Sequence, residues 1–381
     1  MDRLATLRAR ACRLPVIRWF LDLRLQILAL LLLFLLTLWG TLYQVEHGLW
    51  ASQQRFFYSW FFVSGGFFPF PGAKLVLAYL FVSLLLVTVL RLSYRAQKTG
   101  LILIHWGLLV LLAGGGITHF QAVESFLSLK EGERSNLTSD YRNWEISVWT
   151  ERAQATNGLP EKRAVEAIDT DRLLGGKAVV FPDAALTLIP RRLFQNAMPN
   201  IEAPPSGPQS ASGFTGLSAA AQQTDPAQDL PGGEFTVLAA GATNQILLWA
   251  GEASPLHLGE KTIQLRRKRH PLPASLALKR FTKEEHPGTA VARRYESRVQ
   301  LSEPRLSREV LIRMNEPLRF ADYTVYQSSY SEEEGVPVSV FAVVKNGGRI
   351  VPYLASVLLF LGMLIHFGIM LVGRIRRREA R

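Results

Sequence analysis

Two of the seven histidines fall inside long apolar runs, where ionisable side chains are costly and mark functional sites. His105 lies in residues 99–118 and His366 in residues 352–373. Counted from the basic flank of each run, both lie about 9 to 11 Å deep at 1.5 Å per residue. Two neutral imidazoles at one depth could ligate a haem iron axially, because each offers a nitrogen lone pair. The alternative is that each hydrogen-bonds a neighbouring helix.

Three other features are weaker candidates for the same chemistry. His119 and His47 lie just beyond apolar runs, where an external haem site could be placed, although most such residues are plain interfacial ones. The basic run at residues 266–270 could meet haem propionates or lipid headgroups. Such runs are more often a solvated strand face.

Four apolar runs are long enough to cross a membrane as helices: 25–43, 73–91, 99–118 and 352–373. Basic residues crowd the leader 1–24, the short loop 92–98 and the tail 374–381, whereas 44–72 carries only Arg55. The excess of Lys and Arg predicts that these three flanks and both termini are cytoplasmic, with 44–72 and 119–351 outside. The first run is too long for a cleaved signal and is expected to remain as an anchor.

The charge distribution argues against a nucleic-acid-binding protein despite a net charge of +12. Residues 1–118 hold eleven Lys and Arg against three Asp and Glu, and residues 119–351 hold 27 of each sign. The excess therefore flanks the apolar runs and is missing from the only stretch long enough for a folded soluble domain. The sole cysteine, Cys12, lies in the leader, so residues 119–351 offer no thiol for disulfide exchange.

Glycines and aromatics give two further patterns in the N-terminal part. Gly100, Gly107 and Gly114 recur every seven residues and form a stripe for close helix packing, with His105 roughly opposite Gly107. Residues 50–70 contain ten aromatics, which predict either an interfacial belt or a lid over a ligand site at the level of the membrane.

The large segment 119–351 is predicted to be a mainly antiparallel β domain. Strand patterns occur at residues 144–149, 185–189, 262–265, 297–301, 309–314, 323–330 and 336–344. Residues 196–232, rich in Pro, Gly, Ser, Ala and Gln, predict a mobile insertion. The predicted fold class is thus an integral membrane protein with four transmembrane α-helices, three N-terminal and one C-terminal, and a large extracytoplasmic mainly-β domain between helices three and four.

Several short motifs together resemble the ResB family, also called CcsB, of system II cytochrome c biogenesis. They are Gly40-Thr41-Leu42 with Gln44, Phe57-Tyr58-Ser59-Trp60-Phe61, Pro71-Gly72, Ile104-His105-Trp106-Gly107, Lys130-Glu131-Gly132-Glu133, Trp144-Glu145, Pro287-Gly288, Met314-Asn315-Glu316-Pro317-Leu318 and Tyr326-Gln327-Ser328-Ser329-Tyr330. The order of three spans, a large external domain and a last span is also similar to that family.

The resemblance implies a subunit of the bacterial cytoplasmic (inner) membrane that moves haem b outward and presents apocytochrome c with a CcsA-type partner. It maps the family's intramembrane histidine onto His105, whereas His366 is added here from its depth. The WWD haem motif belongs to the partner, so this chain is expected to be a non-autonomous part of a haem lyase. A separate thiol-reducing protein is also required, because the predicted external part has no cysteine.

Two alternatives stay open at this point. The chain could be a scaffold that holds apocytochrome and the partner without binding haem. It could instead be a membrane b-type cytochrome or quinone-linked electron-transfer subunit that uses both His105 and His366.

Overall fold

The chain forms two compact units in the computed structural model. The helical unit comprises Met1–Val123 and Lys345–Arg381, and the β unit comprises Glu124–Val344. The structure describes residues 10, 12–150, 165–173, 176–200, 208–239, 241–289, 291–333 and 335–379.

The helical unit contains five α-helices among its described residues. They are α1 Pro15–Leu21, α2 Leu23–Ser52, α3 Ala73–Leu86, α4 Thr99–Gln121 and α5 Val351–Glu379. π-helical turns follow α2 at Gln53–Phe57 and α3 at Val87–Arg91, and a 3₁₀ turn at Ala96–Lys98 precedes α4. Four helical stretches are long and apolar enough to cross a membrane: Leu23–Phe57, Ala73–Arg91, Ala96–Gln121 and Val351–Glu379. The prediction of four long apolar helices is therefore confirmed.

The first long helix differs from its predicted end at residue 43. Helical structure continues to Phe57, but Gly48 has φ 78° and ψ 162°, a conformation almost restricted to glycine. Ser52 Oγ donates to the Gly40 carbonyl at 2.7 Å. Twelve residues of straight helix would separate these groups by about 18 Å, so the chain reverses direction at Gly48. The following residues run back along α2.

The glycine stripe is the contact between α4 and α5. A Cβ at Gly100 would lie 2.6 Å from the Gly362 carbonyl oxygen and closer still to the backbone nitrogen of His366. At Gly107 it would lie 2.9 Å from Leu359, and Gly114 abuts Val351. At Gly100 the two helices therefore meet backbone against backbone, and a side chain at any of the three glycines would collide with α5.

The β unit, together with the residues that join it to the helices, contains strands β3 to β18. They are β3 Val123–Lys130, β4 Arg134–Thr150, β5 Val165–Asp169, β6 Val179–Phe181, β7 Leu186–Phe194, β8 Ala197–Asn200, β9 Gly216–Ala219, β10 Gly232–Ala239, β11 Ala242–Trp249, β12 Leu256–Leu258, β13 Lys261–Glu285, β14 Ala292–Ser302, β15 Ser307–Arg313, β16 Leu318–Phe320, β17 Tyr323–Glu333 and β18 Val336–Lys345. A further hairpin, β1 Phe61–Ser64 with β2 Phe68–Pro71, lies in the helical unit. Every predicted strand pattern falls in or overlaps one of these strands, and the prediction of a mainly-β domain is confirmed.

Three sheets share these strands. The largest has ten strands in the order β15-β14-β13-β4-β3-β18-β17-β16, with β12 beside β13 and β5 beside β4. A four-stranded sheet runs β11-β10-β7-β6, and β8 pairs with β9. Alternate residues such as Ile146 and Val148 of β4 point to one face and pack with the four-stranded sheet in the first apolar core.

The second apolar core lies within the large sheet itself and is closed by a buried polar contact. Ser297 Oγ of β14 lies 2.7 Å from Ser339 Oγ of β18, and Gln327 Nε2 of β17 donates to Ser339 Oγ at 2.9 Å. All three residues are buried. Since β14 and β18 are not neighbours in the sheet, the sheet must curve for them to meet.

The segment 196–232, predicted to be a mobile insertion, is partly packed. Phe214 and Leu217 are buried in a small cluster with Ala197 and Leu247. Trp249 Nε1 donates to the Ala197 carbonyl at 3.0 Å, which ties this cluster to β11. Residues 201–207 lie outside the described residues. Composition alone missed these isolated apolar anchors among polar neighbours.

We expect Gly100→Ala to destabilise the helical unit, because the new Cβ would collide with the backbone of α5. Overpacking of this kind costs about 1–3 kcal/mol. Thermal unfolding of the detergent-purified chain should show a lower midpoint than the wild type. The matched control is Gly116→Ala, since a Cβ at Gly116 meets no atom within 4 Å. Equal midpoints for the two variants would contradict the packing described here.

Candidate functional site

His105 lies near the start of α4 with its ring in a defined orientation. Its Nδ1 lies 2.8 Å from the carbonyl oxygen of Leu101, one turn earlier, and the side chain is only partly buried. A carbonyl can only accept, so Nδ1 carries the proton. In the neutral ring the lone pair is then on Nε2, which is the nitrogen available to a metal.

The structure does not bring His105 and His366 together. The contact at Gly100 puts His366 level with the beginning of α4, whereas His105 lies five residues further, about 7.5 Å along the axis. His105 is also about 160° around α4 from Gly107, whose face packs on α5. His105 therefore points away from the helix that carries His366.

This arrangement differs from the equal depth inferred from the sequence, and the reason is the register of the helices. The sequence count began at the basic flank of each run, at residue 99 in the third and near residue 373 in the fourth. The helix α5 instead continues through the arginines to Glu379. Glycine contacts fix the register, and they align His366 with Gly100.

His119, in the last turn of α4, belongs to an aromatic cluster with one cation. Its ring centroid lies 4.9 Å from Tyr58 and 4.9 Å from Phe120. Lys74 Nζ lies 5.3 Å from the ring centroids of both Phe120 and Trp60. The cluster joins the aromatic segment to the first turn of α3 and the end of α4, with His119 itself exposed.

His47 lies on the last turn of α2 before the reversal at Gly48. Its ring stacks on Tyr43 with centroids 3.9 Å apart, and its Nδ1 lies 3.3 Å from the Tyr43 carbonyl oxygen. Tyr43 also faces Arg55, whose guanidinium carbon lies 5.2 Å from the ring centroid. Arg55 Nη2 donates to the Val63 carbonyl at 2.9 Å, and its Nε is buried without a partner in the described structure.

The basic run at residues 266–270 is largely paired within the β unit. Arg266 contacts Glu145 at 2.9 Å and Lys268 contacts Asp169 at 2.8 Å. The Arg267 guanidinium lies 3.9 Å from the ring centroid of Trp144 and donates to two carbonyl oxygens. Only Arg269 is exposed and has no ion pair within the described part of the chain. The run is thus poorly suited to holding haem propionates.

Asp140 binds His270, the last residue of the basic run. Burial raises the pKa of the Asp140 carboxyl, but hydrogen bonds from the backbone N–H groups of Arg142 and Asn143 and from the side chains of His270 and Asn143 outweigh it. The pKa of Asp140 is therefore below its ordinary value. His270 Nε2 donates to Asp140 Oδ2 at 3.1 Å. Asp140 was not singled out by its type or spacing, because its partner His270 comes from a distant strand.

The donor groups fit a haem only in part. His105 offers a free Nε2 lone pair in apolar surroundings, which suits one axial position. His366 does not face it. Within the described residues no group of three or more His, Cys, Asp or Glu side chains is arranged to hold a metal ion.

Comparisons with known proteins indicate the family of this chain. The model of the ResB-like family matches residues 94–353, more than half of the chain. A segment of 97 residues is 37% identical to Protein NrfI of Wolinella succinogenes. That segment is 25% of this chain but only 10% of NrfI, so the match spans far less than two thirds of that relative.

We expect Asp140→Asn to lower the stability of the full chain at neutral pH by about 1–3 kcal/mol, because donors now aimed at a carboxylate lose part of their partner. A depressed pKa stabilises the folded state above the unfolded pKa of about 3.9 and less so as the pH falls below it. The loss caused by Asp140→Asn should therefore shrink below about pH 4.

Denaturant unfolding followed by tryptophan fluorescence between neutral and acid pH would measure this difference. The control is Asp322→Asn, an exposed residue in the turn between β16 and β17. If the free energy of unfolding of Asp140→Asn were lower than that of the wild type by the same amount at all pH values, the ionised form of Asp140 would not be the stabilising one.

Proposed function

Because this chain belongs to the ResB-like family, we propose that it acts in cytochrome c biogenesis as a haem-handling membrane subunit. The family match covers α4 with His105, the whole β unit and the start of α5. We therefore assign haem binding to α4 and the handling of apocytochrome c to the β unit. The activity belongs to a complex, and this chain alone is not the haem lyase.

One observation carries the haem assignment. His105 has Nδ1 bound to the Leu101 carbonyl, which leaves Nε2 as the lone-pair nitrogen, and it lies on the face of α4 turned away from α5. A polar ring at that depth is costly unless a ligand or partner covers it. His105 would hold the haem iron on one side.

The second axial ligand would come from the CcsA-type partner. Within this chain the only other histidine in an apolar run, His366, lies about 7.5 Å away along the axis and on the α5 side. A haem shared between two subunits would dock them together, since each supplies one nitrogen. This proposal replaces the pairing of His105 with His366 expected from the sequence.

The β unit would present apocytochrome c from outside the membrane. Bound haem supplies the vinyl groups that react with the thiols of apocytochrome, and these thiols must be reduced. The only thiol of this chain is Cys12 in the leader. A separate reducing protein would therefore maintain the substrate thiols.

We place the chain in the bacterial inner membrane with both termini and Cys12 in the cytoplasm and the β unit outside. The support is the asymmetry of Lys and Arg between the flanks of the apolar helices. A membrane-impermeant maleimide added to intact spheroplasts should then leave Cys12 unlabelled. A cysteine at the exposed Arg308 of β15, in a Cys12→Ser background, should be labelled.

The labelling has an internal control, because both thiols should react after the membrane is permeabilised. Labelling of Cys12 before permeabilisation would reverse the proposed orientation. Failure of both to react after permeabilisation would only mean that the thiols are inaccessible, so denatured protein is labelled as a reference.

We expect His105→Gly to remove most of the Soret absorbance from the detergent-purified complex with its CcsA-type partner. Added imidazole should restore part of that band by filling the vacated position, which a purely structural role would not allow. His366→Ala is the matched control, because it removes an imidazole from the other apolar helix and should keep the band. Each spectrum is normalised to assembled complex on size exclusion.

The same spectra separate the competing functions. An unchanged band in both variants would place haem entirely on the partner and leave this chain as a scaffold. Loss of the band in both, with reversible redox cycling by a quinol, would favour a b-type cytochrome that uses both histidines.

A further inference from the structure

The aromatic segment after Gly48 lies against α2 within the range of its apolar run. The Trp39 ring centroid lies 5.3 Å from Phe56, 5.7 Å from Phe62 and 5.7 Å from Phe70. Trp39 precedes Tyr43, the predicted end of that run, by four residues, or about 6 Å along the helix. The hairpin of β1 and β2 is therefore level with the last apolar turns of α2, not beyond them.

The hairpin has one face toward α2 and one away from it. Its register pairs Phe62 with Phe70, and both contact Trp39. The neighbouring pairs, Phe61 with Pro71 and Val63 with Pro69, point to the opposite face because side chains alternate along a strand. Phe61 and Val63 are 62% and 54% exposed, so this apolar face is open.

The tip of the hairpin is also apolar and open. Gly65 and Gly66 make the turn with positive φ, and Phe67 and Phe68 follow with ring centroids 4.4 Å apart. Phe67 is 73% exposed. An exposed apolar patch of this kind marks an interaction surface.

In the sequence, charged residues flank the hairpin and do not occur within it. No charged residue lies between Arg55 and Lys74 in the sequence. The Arg55 guanidinium binds the Val63 carbonyl, and Lys74 lies over the Trp60 ring. Cations beside aromatic rings at the rim of an apolar surface are typical of the lipid headgroup level.

We propose that the outward face of the hairpin and its Phe67–Phe68 tip insert into the lipid at the Tyr43 end of α2, as a re-entrant element. We assign lipid as the partner of this outward face because the hairpin packs on α2, whose apolar run meets lipid at that same level. This inference rests on the proposed membrane placement of the apolar helices. It adds a fifth membrane-embedded element that does not cross the bilayer.

The test uses single cysteines in the Cys12→Ser chain, labelled with an environment-sensitive nitrobenzoxadiazole dye, in nanodiscs with acyl-chain spin-labelled phosphatidylcholine. Cysteines at Phe67 and Val63 probe the tip and the outward face. A cysteine at Phe360 of α5 is the positive control for a membrane helix, and one at Arg308 of β15 is the aqueous control. Circular dichroism checks that each variant is folded.

We expect lipid spin labels to quench the dye at residues 67 and 63 several-fold more than at residue 308. Quenching at 360 alone would overturn the hairpin proposal while leaving the membrane placement intact. A blue-shifted but unquenched dye at 67 and 63 would also overturn it, because protein rather than lipid would then cover the face. Absence of quenching at 360 would instead contradict the membrane placement itself.

Discussion

The close contact of α4 and α5 determines what the rest of the helical unit can do. In the proposed membrane placement, lipid gives no hydrophobic gain from bringing two apolar helices together, so tight packing must hold them. Gly100, Gly107 and Gly362 let the two backbones approach to the distance at which a methyl group would collide. This contact fixes the rotation of α4 and turns His105 away from α5. The availability of the His105 Nε2 is thus a consequence of where the glycines lie.

A second glycine has a comparable effect at the other end of the unit. Gly48 allows the backbone to reverse, and the reversal brings Phe56 and Phe62 against Trp39 and buries Ser52 over Gly40. Without the reversal, the ten aromatics of residues 50–70 would extend away from the helices. At the α4–α5 contact and at the reversal after α2, side chains provide most of the contact area. In each case, however, a glycine determines which side chains meet.

Local sequence patterns were sufficient to predict the helices and strands. They were not sufficient to predict which residues of neighbouring helices lie side by side. Apolar runs and strand alternation gave the long helices and the strands, because these signals are contained in short windows. The relation of His105 to His366 depends on which residues of α4 and α5 lie side by side. The glycines at 100 and 107 indicated a packed face, but nothing in the sequence pairs Gly100 with His366. The reversal at Gly48 was missed for the same reason, since a single glycine in an apolar helix has several ordinary roles.

The basic run of β13 shows how structure can remove a candidate that sequence suggests. In the sequence, residues 266–270 form the densest positive patch of the β unit. In the fold, Arg266 and Lys268 face Glu145 and Asp169, while His270 faces Asp140. An external anion could use these groups only by taking them from their carboxylates, and the loss is largest for Glu145 and Asp140, which are buried. By contrast, Arg55 and Lys74 of the helical unit contact rings and a carbonyl, and neither has a carboxylate partner in the described structure. Unlike Arg266 and Lys268, these two cations lie beside the apolar helices, at the ends of the aromatic segment.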